Sequence, residues 1–369
     1  MTTIIIGAGA SGLAAAISLK QQLPQEKVII LERLSSPGKK ILATGNGRCN
    51  LTNKYAEHYA QTKAFFESIG LVLCEEEQGR IYPYSLKAET VLEILLNACN
   101  NLSIEIITDC EVTEIKSNLT VHSSNGIFKA DSIIASAGGM AQKNLGSNGS
   151  GYTLLKKLGH TVTDLSPALV QLTSSSKYPR AIKGTRTRCS MAIELNGAIA
   201  AEESGEILFT DYGISGIAAM NLSYIVGQNF AKKEPEKCIA VLDLVPEISE
   251  TQLMEHIEKF GSLCGILGSK LSDIISKQAD GDAEKSAKFA KNWRLIITGT
   301  KGFDFAQITS GGIPLCEISE FESNHIKNLY ICGELLDRQF ECGGFNLDFA
   351  WHSGITAAKR ITEKRNDKN

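Results

Sequence analysis

The chain has 369 residues, 43% of them hydrophobic, which is enough for two lobes with their own cores and too little for three full domains. Its 38 Lys and Arg against 41 Asp and Glu, with pI ≈ 6.1, give no bulk attraction to nucleic acid or to an anionic membrane. No run reaches the ~18 apolar residues of a bilayer span.

In chain order, residues 2 to 6 and 27 to 31 are short β-branched runs. Between them, Ser11 to Gln22 places Leu13, Ala16, Ile17 and Leu19 on one helical face, so the chain opens with a β-α-β unit. Residues 61 to 69 and 87 to 99 again show helical spacing. From 103 to 135 the period shortens to two in three bursts, separated by the turn signals Ser117-Asn118 and Asn125-Gly126. This reads as a β-meander returning into a buried strand, Ser132 to Ala135. Residues 168 to 210 are strand-like, 215 to 230 and 250 to 292 helical, and 293 to 310 strand-like again, as in an inserted lobe. The buried β pattern resumes at 326 to 332, then a Gly-rich turn and a helix near 346 to 361 follow. The tail from Lys364 to Asn369 is expected to fray.

Met1-Thr2-Thr3 runs directly into Ile4 without the charged and apolar regions of a secretory leader. The 10 cysteines are scattered, mostly in apolar segments. Both features lead to the expectation of a cytoplasmic protein with mostly free, buried thiols. Cys49, Cys189 and Cys342 sit in polar or Gly-rich stretches where a reactive thiol is conceivable. No cysteine pair has zinc-like spacing, and no metal site is expected.

Gly7-Ala8-Gly9-Ala10-Ser11-Gly12 follows the first strand and opens the first helix, and Glu32 ends the next strand. Gly7 permits the tight turn, Gly9 lets the backbone approach a pyrophosphate, and Gly12 lets helix and strand pack closely. The helix start offers unpaired N–H groups to phosphate. A carboxylate at Glu32 accepts ribose hydroxyls and repels a 2′-phosphate, so FAD and NAD fit and NADP does not. Strand, spacing, helix and acid together predict a dinucleotide site but do not choose between FAD and NAD.

The stretch Gly38 to Asn53 is rich in small residues, cations and amides, and could wrap a flexible cofactor with Lys40 or Arg48 facing its oxygens. From these residues on, the sequence resembles the BaiN/YhiN-like family of bacterial flavoproteins, a group that includes aminoacetone oxidase. The resemblance runs through Gly79-Arg80-Ile81-Tyr82-Pro83, Ala137-Gly138-Gly139, Gly146 to Tyr152, Leu208 to Gly216, Gln307 to Ile313, Gly333 to Asp337 and Cys342 to Leu347. It departs from the family at Asp211, where His is common, near Ile217, where Pro is common, and at Arg338 to Glu341.

The resemblance implies noncovalent FAD, in an α/β Rossmann-like domain split by an inserted β-barrel-like lobe with a small helical subdomain. The expected ranges are 1–175 and 322–369 for the FAD domain, 176–245 and 293–321 for the lobe, and 246–292 for the helical part. The active site is expected between the FAD domain and the lobe. The candidate cofactor-binding residues are Gly7, Gly9, Ala10, Ser11, Gly12, Glu32, Arg33, Lys40, Thr44, Gly45, Arg48, Cys49, Asn50, Val112, Ala137, Gly138, Gly333, Glu334, Gly344, Asn346 and Leu347. Gly343-Gly344 permits close backbone approach, and the helix beginning near Asn346 would aim its positive end at the flavin.

Flavin carries the hydride chemistry itself, so no side-chain nucleophile is required. Arg80 and Tyr82, in a turn with Pro83, are candidates for binding an anionic or carbonyl substrate, and Cys342 for a redox partner. His352 reads simply as a half-buried residue of the closing helix, and Arg186 and Arg188 either line the insert's side of the cleft or, the commoner case, form a solvated face. The expected activity moves hydride or electrons between a small organic substrate or NAD(P)H and an acceptor, with NADH or NADPH docking transiently because no second GxGxxG exists. Two other readings are a tRNA-modifying flavoprotein, which would show a basic groove with exposed aromatics on the insert, and a non-enzymatic redox sensor acting through Cys342 or Cys49. Nucleic acid is the less expected partner.

Overall fold

The computed structural model describes residues 1–367. The chain forms two compact units, residues 1–165 with 308–369, and residues 166–307.

The first unit is built on a seven-stranded sheet in which Leu329–Ile331, Ser132–Ala135, Thr2–Ile6, Lys27–Leu31 and Glu105–Ile107 lie side by side and parallel. Covered on both faces, these strands read as continuous apolar runs rather than alternations. Ile4, Ile5, Ile30, Ile133 and Ile134 are fully or almost fully buried. The first helix, Ala10–Gln22, packs against the closing helix, Phe345–Asn366. Small residues set that contact: a Cβ on Gly354 would lie 2.1 Å from the Ser11 carbonyl oxygen.

Only part of the 103–135 meander stands as read. Glu105–Ile107 joins the main sheet, while Val112–Ile115, Thr120–Ser123 and Gly126–Lys129 form a separate antiparallel sheet, and the chain then re-enters the main sheet at Ser132. A second small sheet pairs Thr52–Asn53, Arg80–Pro83 and Leu73–Glu75. Arg80 and Tyr82 therefore lie on a strand, not in a turn. The tail is also more ordered than its charge suggests: Lys364 pairs with Glu322, and Arg365, 5% exposed, donates to Glu26 and Ser132. The burial of Arg365 carries the helix on to Asn366. Lys368 and Asn369 lie outside the described residues.

The second unit is a closed antiparallel barrel in the order Leu172–Ser174, Gly213–Ser215, Ala198–Phe209, Arg186–Leu195, Cys238–Asp243, Trp293–Thr300. Strand Leu172–Ser174, read from sequence with the FAD domain, is a barrel stave, and residues 308–321 belong to the first unit. The Ile217–Ala231 helix packs on the barrel through a mostly apolar surface. Glu250–Phe260, Ser269–Gln278 and Ala283–Lys291 add their apolar faces to the same core around the fully buried Trp293.

Candidate nucleotide and flavin site

Parallel pairing brings the carboxyl ends of neighbouring strands to one edge, where an open α/β sheet binds its ligands. Gly7 to Gly12 follows Ile6, Glu32 to Leu34 follows Leu31, Ser136 to Gly139 follows Ala135, and Gly333 follows Ile331 by two residues. Residues as far apart in the chain as Gly7 and Gly333 thus surround one cradle.

The fingerprint glycines differ in what surrounds them. Gly7 has φ +100°, which an L side chain rarely adopts. A Cβ on Gly12 would lie 2.0 Å from the Gly7 carbonyl oxygen, so Gly12 is a packing glycine. A Cβ on Gly9 would meet nothing within 4 Å. Gly9 is the cap of a helix with no acidic residue in its first turn and no side-chain cap, so the first amides of the helix, from Ala10 and Ser11, have no intrahelical acceptor and suit a phosphate. Ser136 supports the corner by donating to the carbonyls of Ile6 and Gly7. It escaped sequence reading because only strand pairing brings it there.

Glu32 accepts from the amides of Ala8 and Leu34, each at 2.8 Å. Both carboxylate oxygens are thereby oriented while keeping further acceptor capacity for ribose hydroxyls. Arg33 donates to the Gly146 carbonyl. Val112, 8% exposed, is at the start of its small sheet, and Ala137 and Gly138 lie in the loop after the Ser132–Ala135 strand.

The loop from Lys40 to Asn50 contains the short helix Lys39–Ala43 and a 3-10 turn at Thr44–Gly47. Lys40 Nζ meets Glu334 Oε2 at 2.7 Å, while Glu334 Oε1 accepts from the Thr309 amide. These two candidates hold each other. Thr44 donates to the Ile41 carbonyl. Arg48 pairs with Glu76 and lies 4.4 Å from the ring centre of Tyr82, which is buried beside Gly45. Arg80 donates to Gln78.

Two features of this cradle suit a flavin. Asn50 Oδ1 is buried and has no hydrogen-bond partner among the described residues, a costly state that an N–H donor of a bound ligand relieves. A Cβ on Gly344 would lie 2.9 Å from this same oxygen and 2.5 Å from the Thr52 carbonyl oxygen. Gly344, φ +102°, caps the closing helix without a side-chain cap; the first turn carries one acid, Asp348, whose carboxylate is turned to Thr52, Thr62 and His58, so the first amides of the helix can still meet negative charge. Isoalloxazine offers both an N–H donor and an edge that gains negative charge on reduction.

Other candidates are engaged within the chain, buried or exposed. The Asn346 side chain joins the backbone of Phe340 and Glu341, so only its main-chain amide remains for a cofactor. Leu347 packs against the core of the first unit. Gly333 donates its amide to Ser353. Cys49 is fully buried and Cys189 nearly so; burial pushes both thiols up to about 12, so neither is a ready thiolate. Cys342 is half-buried. Arg186 and Arg188 are exposed, Arg186 pairing with Glu206.

Asp348 was not foreseen. It is buried one turn into the closing helix and accepts from the hydroxyls of Thr52 and Thr62 and the amide of His58. These partners are 286 to 296 residues away in the chain, which explains why no local pattern revealed it.

A family profile described as the HI0933-like protein Rossmann domain matches residues 1–64 and 57–360. The chain belongs to this family. It is 35% identical, over 98% of both chains, to a protein of Clostridium scindens named 3-dehydro-bile acid delta(4,6)-reductase. It is 26% identical, again over 98% of both, to a ribosomal RNA dihydrouridine synthase of Haemophilus influenzae. Among solved structures, a 3-ketosteroid delta1-dehydrogenase from Sterolibacterium denitrificans covers 98% of this chain and is itself covered in full, with TM-score 0.54 at 9% identity. An E. coli quinol fumarate reductase covers 100% of this chain, which spans 71% of it, at TM-score 0.52 and 15% identity. At such identities these structures speak for the fold. The HI0933-like chain is a flavin-dependent oxidoreductase, and FAD is its cofactor. Among the described residues no helix is long and apolar enough to cross a membrane.

Proposed function

We propose that the chain reduces a carbon–carbon double bond conjugated to a carbonyl in a small organic molecule, with NADH or NADPH as the electron source. The full-length likeness to a protein named for bile-acid delta(4,6) reduction carries this reading. The second relative's name points to the same bond type, since dihydrouridine arises by saturating the double bond next to a uracil carbonyl. Overall, one hydride from the nicotinamide and one proton from solvent add across the bond, leaving oxidised nicotinamide and the saturated ketone.

FAD, when bound, supplies reversible two-electron storage between the two partners. The chain's own residues hold and bias it. The Gly9, Ala10 and Ser11 corner would hold the diphosphate, Glu32 the ribose hydroxyls, and Asn50 an N–H of the ring system. The free amides at Gly344 and beyond would favour added negative charge. Arg80, Tyr82 and Cys342 remain the proposed substrate-side groups, and the barrel unit, residues 166–307, the proposed substrate lobe.

The test mixes FAD-loaded protein anaerobically with NADH and with NADPH, follows loss of the visible flavin band, then adds a 3-keto-4-ene steroid. Bleaching by a nicotinamide and recovery on adding the enone are expected. Bleaching by an amine or alcohol alone, with no response to either nicotinamide, overturns the reading.

RNA as substrate is the second reading. In the second unit Lys301 lies over the rings of Tyr212 and the exposed Phe305, at 4.8 and 4.4 Å, a pairing of cation and aromatics suited to a nucleic-acid surface. A uridine-containing ribosomal RNA fragment in place of the steroid separates the two: recovery with RNA alone selects this reading.

A further inference from the structure

Away from the nucleotide cradle, three segments bring together His160, Glu317 and His325. His160 follows the Ser150–Lys157 helix, Glu317 precedes the Ile318–Ser319 edge strand, and His325 follows the Glu322–Ser323 strand. Their donor atoms, one from each residue, all lie within 4.8 Å of one another. Glu317 Oε2 is 2.7 Å from His160 Nδ1 and 3.6 Å from His325 Nε2. Two ligands bound tetrahedrally to a zinc-sized ion at ~2.0–2.1 Å stand about 3.3 Å apart, so the spacing needs only small adjustment.

Outer contacts orient the donors as they do around bound metals. The Thr161 amide donates to the Glu317 carboxylate at 3.2 Å, and its hydroxyl donates to Oε1, which leaves Oε2 turned toward the two imidazoles. Ser323 Oγ lies 2.8 Å from His160 Nε2 and also accepts from the amides of His325 and Ile326. That fixes the His160 ring with Nδ1 toward Glu317. The side chains grade from fully buried His160 through Glu317 to His325, 39% exposed, so one side stays open to water and to entry of an ion.

From these observations we infer that His160 Nδ1, Glu317 Oε2 and His325 Nε2 bind one divalent transition-metal ion of the zinc class, with solvent completing its coordination. Binding displaces the proton between His160 Nδ1 and Glu317 Oε2 to solvent, and the metal-bound imidazole stays neutral with a proton on Nε2, donated to Ser323 Oγ. The Leu329–Ile331 strand runs from the His325 end toward Gly333, so the triad is at the strand's amino end and the nucleotide loops at its carboxyl end. The ion is thus a clip joining the sheet edge to the loop after Lys157, rather than a participant in the flavin chemistry.

Chelator-treated, FAD-loaded protein titrated with Zn²⁺ in a calorimeter tests this, with thermal melts in parallel. One ion per chain should bind, and Tm should rise with Zn²⁺. His325→Ala, at an exposed position, and Glu317→Gln should each weaken binding at least 30-fold and abolish the Tm response, while leaving the flavin spectrum unchanged. Cys316→Ser, next to Glu317, should change neither. Absence of stoichiometric binding, equal affinity in His325→Ala, or loss on Cys316→Ser in its place overturns the proposal.

Discussion

At the scale of single residues, the contrast between Gly9 and Gly12 is the sharpest consequence of the structure. An added methyl at Gly9 points into open space, whereas at Gly12 it runs into the Gly7 carbonyl. Gly9→Ala should therefore leave the apoprotein melt within about 0.5 kcal/mol while lowering FAD affinity roughly ten-fold, about 1.4 kcal/mol. Gly12→Ala should destabilise the apoprotein itself by about 1–3 kcal/mol or more. Apoprotein melts and titration with FAD separate the two effects. The thiols make a second residue-level case. Cys264 and Cys316 are exposed, and Cys49 is buried with its thiol pushed up to about 12. Mass-mapped alkylation of native protein should mark Cys264 and Cys316 first and Cys49 last. Cys49→Ser should keep turnover, and loss of a redox response in that variant would revive the sensor reading.

At the scale of elements, the closing helix is anchored at both ends by buried charge. Near its start, Asp348 gathers two hydroxyls and an amide; near its end, Arg365 meets Glu26, itself tied to Thr3. Asp348→Ala strands three donors and should cost about 3–5 kcal/mol, and Arg365→Ala, which leaves Glu26 buried beside only a hydroxyl and the chain's amino group, a similar amount. Urea melts measure both, and a loss under 1 kcal/mol in either would contradict this anchoring. Both anchors join residues hundreds of positions apart. For that reason the helix itself is visible from spacing, whereas its length past Ile361 is not.

For the molecule as a whole, pH dependence can be signed from one cluster. His352 stacks on His58 at 3.4 Å between ring centres and meets Gln61. Its pKa is lowered to about 4, chiefly by burial, then by His58 and Arg338. Glu57, paired with Arg338 and His58, faces the same cluster. An unfolded histidine titrates near ~6.5, so between that value and about 4 the unfolded chain binds the extra proton. The contribution of His352 to stability is complete above ~6.5 and declines as pH falls through this window, by about 3 kcal/mol. His352→Gln should flatten the curve of unfolding free energy between pH 7 and 4, and an unchanged slope would refute the assignment.

The sequence by itself determined the opening β-α-β corner, the acid after the second strand, the interrupted nucleotide-binding fold and the flavin class. These depend on spacing within some thirty residues, or on blocks whose order along the chain is itself the signal. Tertiary structure alone decided that Arg80 and Tyr82 sit on a strand, that the Asn346 side chain serves its own loop, that Cys49 is fully buried, and that Asp348 and the His160, Glu317 and His325 triad exist at all. Each of those outcomes depends on which distant segment supplies the hydrogen bond or removes the water, and that choice is made by packing rather than by neighbours in the chain.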